Sequence, residues 1–424
     1  MRHLETVRSI DVVKAAVSNL VELLRVRAAE TPERTAYRFL GNGENESGRL
    51  TFSDLDRRAR VIAVRLQERG LAGERVLLLY PPGLPYIEAF LGCLYAGVVA
   101  VPAHPPTRQH LPRLLAVMRD AAPAAIMATE KFAVKFRDTF AGHAPHLAQA
   151  WLTTDTSVPD RADAWRAPPL SPESLAFLQY TSGSTGDPKG VMISHGNLLA
   201  NQEIMRQSFD HTERATVVGW LPLYHDMGLI GNILQPLYVG STAILMSPMA
   251  FLEKPVRWLK AISDYRAATS GGPNFAYDLC VRKIGAEDER DLDLSCWNLA
   301  FNGSEPVRPS TMQRFGEAFT ECGFRRQTFF PCYGLAEATL FVAGSRVEDL
   351  GEGKAVDPDL PDYGAAPTGH AIRIVHPETG APCADGRVGE IWVSGPSVAQ
   401  GYWNRPEGSE PTRRIGTYLP CPPG

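Results

Sequence analysis

Cysteine is too sparse and scattered in this chain to build a framework. The seven, Cys93, Cys280, Cys296, Cys322, Cys332, Cys383 and Cys421, are odd in number and form no C-x-x-C pair, which argues against a disulfide scaffold and a structural zinc site. Charge of one sign is also lacking. With 43 basic against 47 acidic residues the formal charge is only -4, so nothing global draws the chain to nucleic acid or an anionic membrane. A small anionic ligand needs only local charge. Long hydrophobic runs are missing as well: the longest nearly apolar stretch, Ala89 to Ala103, has 15 residues and contains Gly92, Gly97 and Pro102. That is too short for a bilayer and reads as a buried helix feeding a strand. Asp11 and Lys14 interrupt the only candidate for a secretory core, so cytoplasm is the expected compartment.

What the chain does have is length and apolar content. Its 424 residues, 44% hydrophobic, exceed one ordinary domain and suffice for a sizeable core. Helical spacing over Val12 to Ala29 and the buried-strand run Glu74 to Tyr80 predict an α/β layered body. After a Pro, Asp and Ser-rich connector, a strand over Leu175 to Tyr180 opens a second α/β half. There Thr216 to Leu221, Ala243 to Met246 and Asn298 to Phe301 read as strands, and Phe251 to Tyr265 and Pro309 to Glu321 as helices. A Gly, Pro and Asp-rich linker covers Gly351 to Gly369. Beyond it, Ala371 to Val375 and Gly389 to Val393 read as short strands of a small β subdomain. The expected fold class is therefore α/β, a layered body of two similar halves plus that subdomain, divided at 1–168, 169–350 and 351–424.

The most informative stretch is Tyr180-Thr181-Ser182-Gly183-Ser184-Thr185-Gly186-Asp187-Pro188-Lys189-Gly190. Glycines let backbone N–H groups converge on phosphate oxygens, hydroxyls add donors, and the lysine supplies a point charge. It is not a Walker A loop, because Lys189 lies between Pro188 and Gly190 rather than before Ser or Thr. The run resembles the signature loop of the adenylate-forming enzymes, the superfamily of acyl-CoA synthetases, luciferases and peptide adenylation domains. Leu221-Pro222-Leu223-Tyr224-His225-Asp226-Met227-Gly228-Leu229-Ile230, Gly272-Pro273-Asn274-Phe275, Asn302 to Val307 and Tyr333-Gly334-Leu335-Ala336-Glu337-Ala338-Thr339 resemble the fatty acyl-AMP ligase branch. The likeness runs from about Val21 to about Pro406.

That resemblance implies a carboxylate attacking the α-phosphorus of ATP to give acyl-AMP and pyrophosphate. It implies that Thr181, Ser182, Gly183, Ser184, Thr185, Gly186 and Lys189 hold the β- and γ-phosphates. Thr185 and Glu337 would help hold Mg²⁺, which prefers oxygen ligands. Tyr333 would stack on adenine, with Gly303, Ser304, Glu305, Gly334, Leu335 and Ala336 around the nucleotide. His225, beside the α-phosphate, and Lys189 would be the catalytic pair. Met227, Gly228, Ile230, Gly272, Pro273 and Asn274 would border the acyl tunnel. Taken singly, Glu337 equally suits a solvated first helical turn, Tyr333 a core position, and the glycines simple turns. The fatty acid substrate, and an acyl carrier protein or polyketide synthase as acceptor, rest on the resemblance alone.

Two departures from the family pattern stand out. No ribose-binding aspartate follows Gln400 to Pro406, and the hinge and small C-terminal domain with its lysine do not follow; the expectation is a fragment or a truncation. The Ala343 to His370 segment is shorter than the insertion such ligases carry, which keeps an acyl-CoA ligase as an alternative. A non-catalytic acyl- or nucleotide-binding module is the other.

Overall fold

The computed structural model describes residues 17–106, 110–143, 147, 150–155, 160–181, 188–347 and 363–405. In chain order the strands are β1 (Thr35–Leu40), β2 (Glu46–Thr51), β3 (Arg75–Leu79), β4 (Val99–Pro102), β5 (Ala125–Ala128), β6 (Trp151–Thr153), β7 (Leu175–Thr181) and β8 (Lys189–Ser194). They continue as β9 (Val217–Gly219), β10 (Ala243–Met246), β11 (Thr269–Gly272), β12 (Leu299–Asn302), β13 (Phe329–Gly334), β14 (Phe341–Gly344), β15 (Ala371–Val375) and β16 (Glu390–Ser394). A six-stranded sheet has the order β6-β5-β3-β4-β7-β8, and an eight-stranded sheet the order β14-β13-β12-β11-β9-β10-β1-β2. Both are parallel inside; β8, β2 and β14 are antiparallel edges.

The run Arg75 to Leu79 is uniformly apolar beyond its first residue because both faces of β3 are covered. Val76 and Leu78 join the main core, whereas Leu77 and Leu79 pack with Leu114, Val117 and Ala121 of the helix Leu111–Ala121. Helices Phe52–Gln67 and Leu84–Ala96 fill the main core with residues of both sheets. The helix expected from the Ala89 to Ala103 run ends at Gly97, φ 68°, and feeds β4.

The division at 168/169 does not separate the two sheets. β1 and β2 join the sheet of β9 to β14, with Tyr37 paired to Ala243, and β7 and β8 join the sheet of β3 to β6. Parallel neighbours need no adjacency in sequence, which a linear reading cannot see. The helix expected over Phe251 to Tyr265 is also two, Pro248–Glu253 and Val256–Asp264. Pro255 forces Lys254 out of helical geometry, φ -143° and ψ 87°. The small subdomain is the antiparallel pair β15 and β16, in register over five residues each. Of the expected linker, residues 351–362 lie outside the described residues, as do residues 406–424 of the tail.

Candidate active site

The sequence blocks converge because each follows the carboxyl end of a strand, where parallel sheets leave a crevice. Thr181 ends β7 and Lys189 begins β8, and the two are paired in register, so the phosphate-loop candidate is the connection of this hairpin. Ser182, Gly183, Ser184, Thr185 and Gly186 lie outside the described residues. Lys189 Nζ sits 5.3 Å from the centroid of the Tyr402 ring. Tyr402 belongs to a strap laid along β8: the Gln400 and Trp403 N–H groups donate to Met192 and Gly190 carbonyls, and Met192 N–H donates to Gly401 O.

The second block leaves β9 and enters a π-helix, Met227–Leu234, a wide helical form that recurs at functional sites. His225 stands at its mouth, its imidazole Nδ1 2.5 Å from Asp226 Oδ1 and its side chain 52% exposed. Desolvation opposes the imidazolium, yet the hydrogen bond to Asp226 and the carboxylate charge outweigh it, so the pKa lies above the ordinary histidine value. The same Asp226 oxygen accepts the Met227 N–H at 2.7 Å, which fixes the carboxylate. A raised pKa means that the cationic form persists to higher pH and is lost as pH rises through it. Asp226→Asn is therefore expected to move the His225 titration to lower pH, measured by NMR of the imidazole protons. No movement would show that Asp226 does not set its charge.

The nucleotide-side candidates follow β12 and β13. Ser304 holds φ 72°, a conformation costly to a non-glycine residue and typical of sites where backbone must be aimed. Glu305 Oε1 accepts the Phe275 N–H at 2.7 Å and ties this turn to the Gly272-Pro273-Asn274 turn. Asn274 Oδ1 accepts from the Arg308 N–H at 3.0 Å, and its amide donates to Thr311 Oγ1 at 3.1 Å. Tyr333 is half-buried, its ring 6.2 Å from that of Tyr363. Glu337 lies in a three-residue turn, Ala336–Ala338, not in a helical first turn, so a macrodipole has no part in placing it. Its Oε1 accepts the Tyr402 hydroxyl at 2.7 Å. Thr339 beside it has φ 72° and ψ -64°, a strained γ-turn anchored by its hydroxyl donating to Ser397 O at 2.6 Å.

Between these blocks lies a mainly apolar cavity of about 230 Å³. Ser304, Tyr333, Gly334 and His225 line its mouth, and Met205, Phe209, Met227, Gly231, Phe301, Leu340 and Phe341 its body. It runs down the sheet face to Val217 and Thr269, the first residues of β9 and β11. Thr269 pairs with Leu299, and Ala300 with Phe329; from that level to Tyr333 is roughly 16 Å at ~3.3 Å per residue. Of the residues expected at the acyl tunnel, Met227 lines this cavity; Gly228, Ile230, Gly272, Pro273 and Asn274 are not among its lining residues. A Cβ on Gly228 would meet the Pro222 carbonyl oxygen at 2.0 Å, and one on Gly272 the Trp220 ring at 2.6 Å. Both glycines permit close packing, whereas Gly231, three residues beyond Gly228, lines the cavity.

Sequence reasoning did not single out Asp226, Gly231 or Tyr402, although all lie in or next to blocks it quoted. The strap contacts of Tyr402 with Lys189 and Glu337 join positions 213 and 65 residues apart and carry no local signal. Among the described residues no three His, Cys, Asp or Glu gather as a metal site. One carboxylate such as Glu337 nonetheless suits Mg²⁺, which is commonly bound through one or two carboxylates together with substrate phosphates. No helix among the described residues is long and apolar enough to cross a membrane.

The strand-end crevice and the cavity beside it suit an adenylate-forming enzyme, and the chain belongs to the AMP-binding enzyme family, whose model matches residues 24–403. It is 40% identical over 425 residues to the medium-chain-fatty-acid acyl-carrier-protein ligase JamA of Moorena producens, covering 94% of this chain and 72% of that protein. The corresponding ligase TtuA of Teredinibacter turnerae is 34% identical, over 93% of this chain and 70% of its own length. A crystal structure of the fatty acyl-adenylate ligase from L. pneumophila, in complex with acyl adenylate and pyrophosphate, superposes with TM-score 0.85 at 40% identity. The match covers 95% of this chain and 75% of that one.

Proposed function

We propose that this chain activates a fatty acid by adenylation. The fatty acid carboxylate attacks the α-phosphorus of ATP, the bond to the β-phosphate oxygen breaks, and acyl-AMP and pyrophosphate result. One observation carries the reading: a single apolar cavity opens directly beside Tyr333, Ser304 and His225, so that nucleotide and acyl chain would meet at the histidine. Each methylene buried there contributes about 0.8 kcal/mol, which lets an alkyl chain bind with few polar contacts. Lys189, and His225 in its protonated form, would offset the negative charge of the reacting phosphates.

Thr181, Lys189 and the loop residues Ser182 to Gly186 would hold the β- and γ-phosphates, with Gly303, Glu305, Gly334, Leu335 and Ala336 around the nucleoside. Glu337 and Thr185 would hold Mg²⁺, which neutralises phosphate charge when bound. For Glu337 to take up that role its hydrogen bond from Tyr402 must yield or be shared. The acyl group would then pass to an acyl carrier protein, the acceptor in the names of JamA and TtuA, free-standing or within a polyketide synthase.

Incubation with ATP, Mg²⁺ and a fatty acid series, read by mass spectrometry and pyrophosphate release, tests the reaction; acyl-CoA as the product after adding CoA would redirect the acceptor. Binding is tested separately. MgATP at a hundred times its Kd is expected to stabilise the fold by about 2.7 kcal/mol, seen as a raised Tm, and Glu337→Gln to lose the Mg²⁺-dependent part. An unchanged Tm at millimolar MgATP would count against the nucleotide site.

A further inference from the structure

The cavity that we assign to the acyl chain is apolar along its body but not at its far end. There His211 and Thr269, 4% and 3% exposed, join its lining, with His211 Nε2 2.9 Å from Thr269 Oγ1. An alkyl terminus has no use for such a pair. Burial, with a smaller contribution from Arg346, pushes the His211 pKa down to about 3, so the ring is neutral. One nitrogen therefore carries a proton and the other does not.

Gln235 decides which. Its amide meets its neighbours' needs only with its nitrogen donating to the Gln202 carbonyl at 3.1 Å and its oxygen accepting from the Arg206 N–H at 3.2 Å. That turns the oxygen towards His211 Nδ1, 3.3 Å away, so Nδ1 bears the proton. Bare Nε2 then accepts from the Thr269 hydroxyl. The relay Gln235, His211, Thr269 leaves lone pairs of Thr269 Oγ1 at the cavity end, a buried acceptor.

We propose that this floor is a specificity determinant that selects acyl chains bearing a hydroxyl, alcoholic or phenolic, at the end remote from the carboxylate. The inference rests on the acyl reading of the cavity given above. A terminal O–H donates to Thr269 Oγ1, while a terminal methyl leaves that acceptor buried without a partner, the costlier state of a polar group.

Non-hydrolysable acyl-sulfamoyladenosines test this on the wild-type chain by calorimetry, in trios ending in methyl, hydroxyl or methyl ether, from hexanoyl to dodecanoyl. At the length that reaches the floor, the hydroxyl compound is expected to bind about tenfold more tightly than the methyl one. The ether, which cannot donate, gains nothing over methyl. Thr269→Val erases the difference. Equal affinity of hydroxyl and methyl compounds at every length, or an ether matching the hydroxyl, overturns the proposal and leaves the adenylation reading standing. If no compound of any length binds, the adenylation reading itself fails and this inference falls with it.

Discussion

Lys189→Ala lowers acyl-adenylate formation by about 10²–10³-fold, the usual cost of removing one preorganised donor or charge from a developing anion. The expectation comes from position. Lys189 is paired in register with Thr181 at the base of the hairpin connection, so its ammonium would stand close to any phosphate bound by that connection. Its only other described partner is the face of Tyr402, a contact of about 0.5–1 kcal/mol at an exposed site; the variant's Tm should therefore move little. Arginine at this position is expected to restore only part of the rate, since a planar fork does not reproduce a compact point charge. Pyrophosphate release within tenfold of wild type would place the lysine away from the phosphates.

A pair of glycine substitutions in one helix separates packing from ligand space. Gly228→Ala drives a methyl into the Pro222 carbonyl oxygen at 2.0 Å; because backbone cannot step aside as a flexible side chain does, a loss of about 3 kcal/mol follows. Gly231→Ala meets only Leu340 Cδ2 at 3.7 Å, ordinary contact, and should keep the wild-type stability within about 0.5 kcal/mol. Its methyl intrudes on the cavity instead, and the preferred acyl chain should shorten or bind less tightly. Denaturant midpoints read the first effect and a chain-length series the second. Equal stability of the two variants would mean that the π-helix relaxes around Gly228.

Local features of the fold were legible in the sequence. The Glu74 to Tyr80 run gave β3 within a residue at each end because a strand buried on both faces leaves a continuous apolar stretch. The expected strands over Ala371 to Val375 and Gly389 to Val393 form a registered pair, shifted by one residue in the second. Pairing across the chain was not legible: nothing in Thr35 to Leu40 states that its neighbour is β10. The site divides the same way. Blocks such as Tyr-His-Asp-Met-Gly carry their chemistry in a few adjacent letters, so His225 and its neighbours could be named as candidates at once. The cavity body is built from Met205, Phe209, Phe301, Leu340 and Phe341, ordinary apolar residues on separate elements that only packing turns towards one space. His211 was one histidine among ten; its burial, not its type, sets it apart.

The interleaving of the two sheets bears on how the chain comes off the ribosome. Arg34, just ahead of β1, hydrogen-bonds the Gly240 carbonyl 206 positions later in the chain, and Tyr37 waits for Ala243. The first hairpin must therefore remain unpaired on one side until most of the body has been synthesised, some tens of seconds at ~5–20 residues per second. Throughout that interval β1 exposes a bare edge able to pair with another nascent copy. Slow translation anywhere between β1 and β10 lengthens this exposure, so yield in a heterologous host should depend on codon choice in that span more than beyond β10.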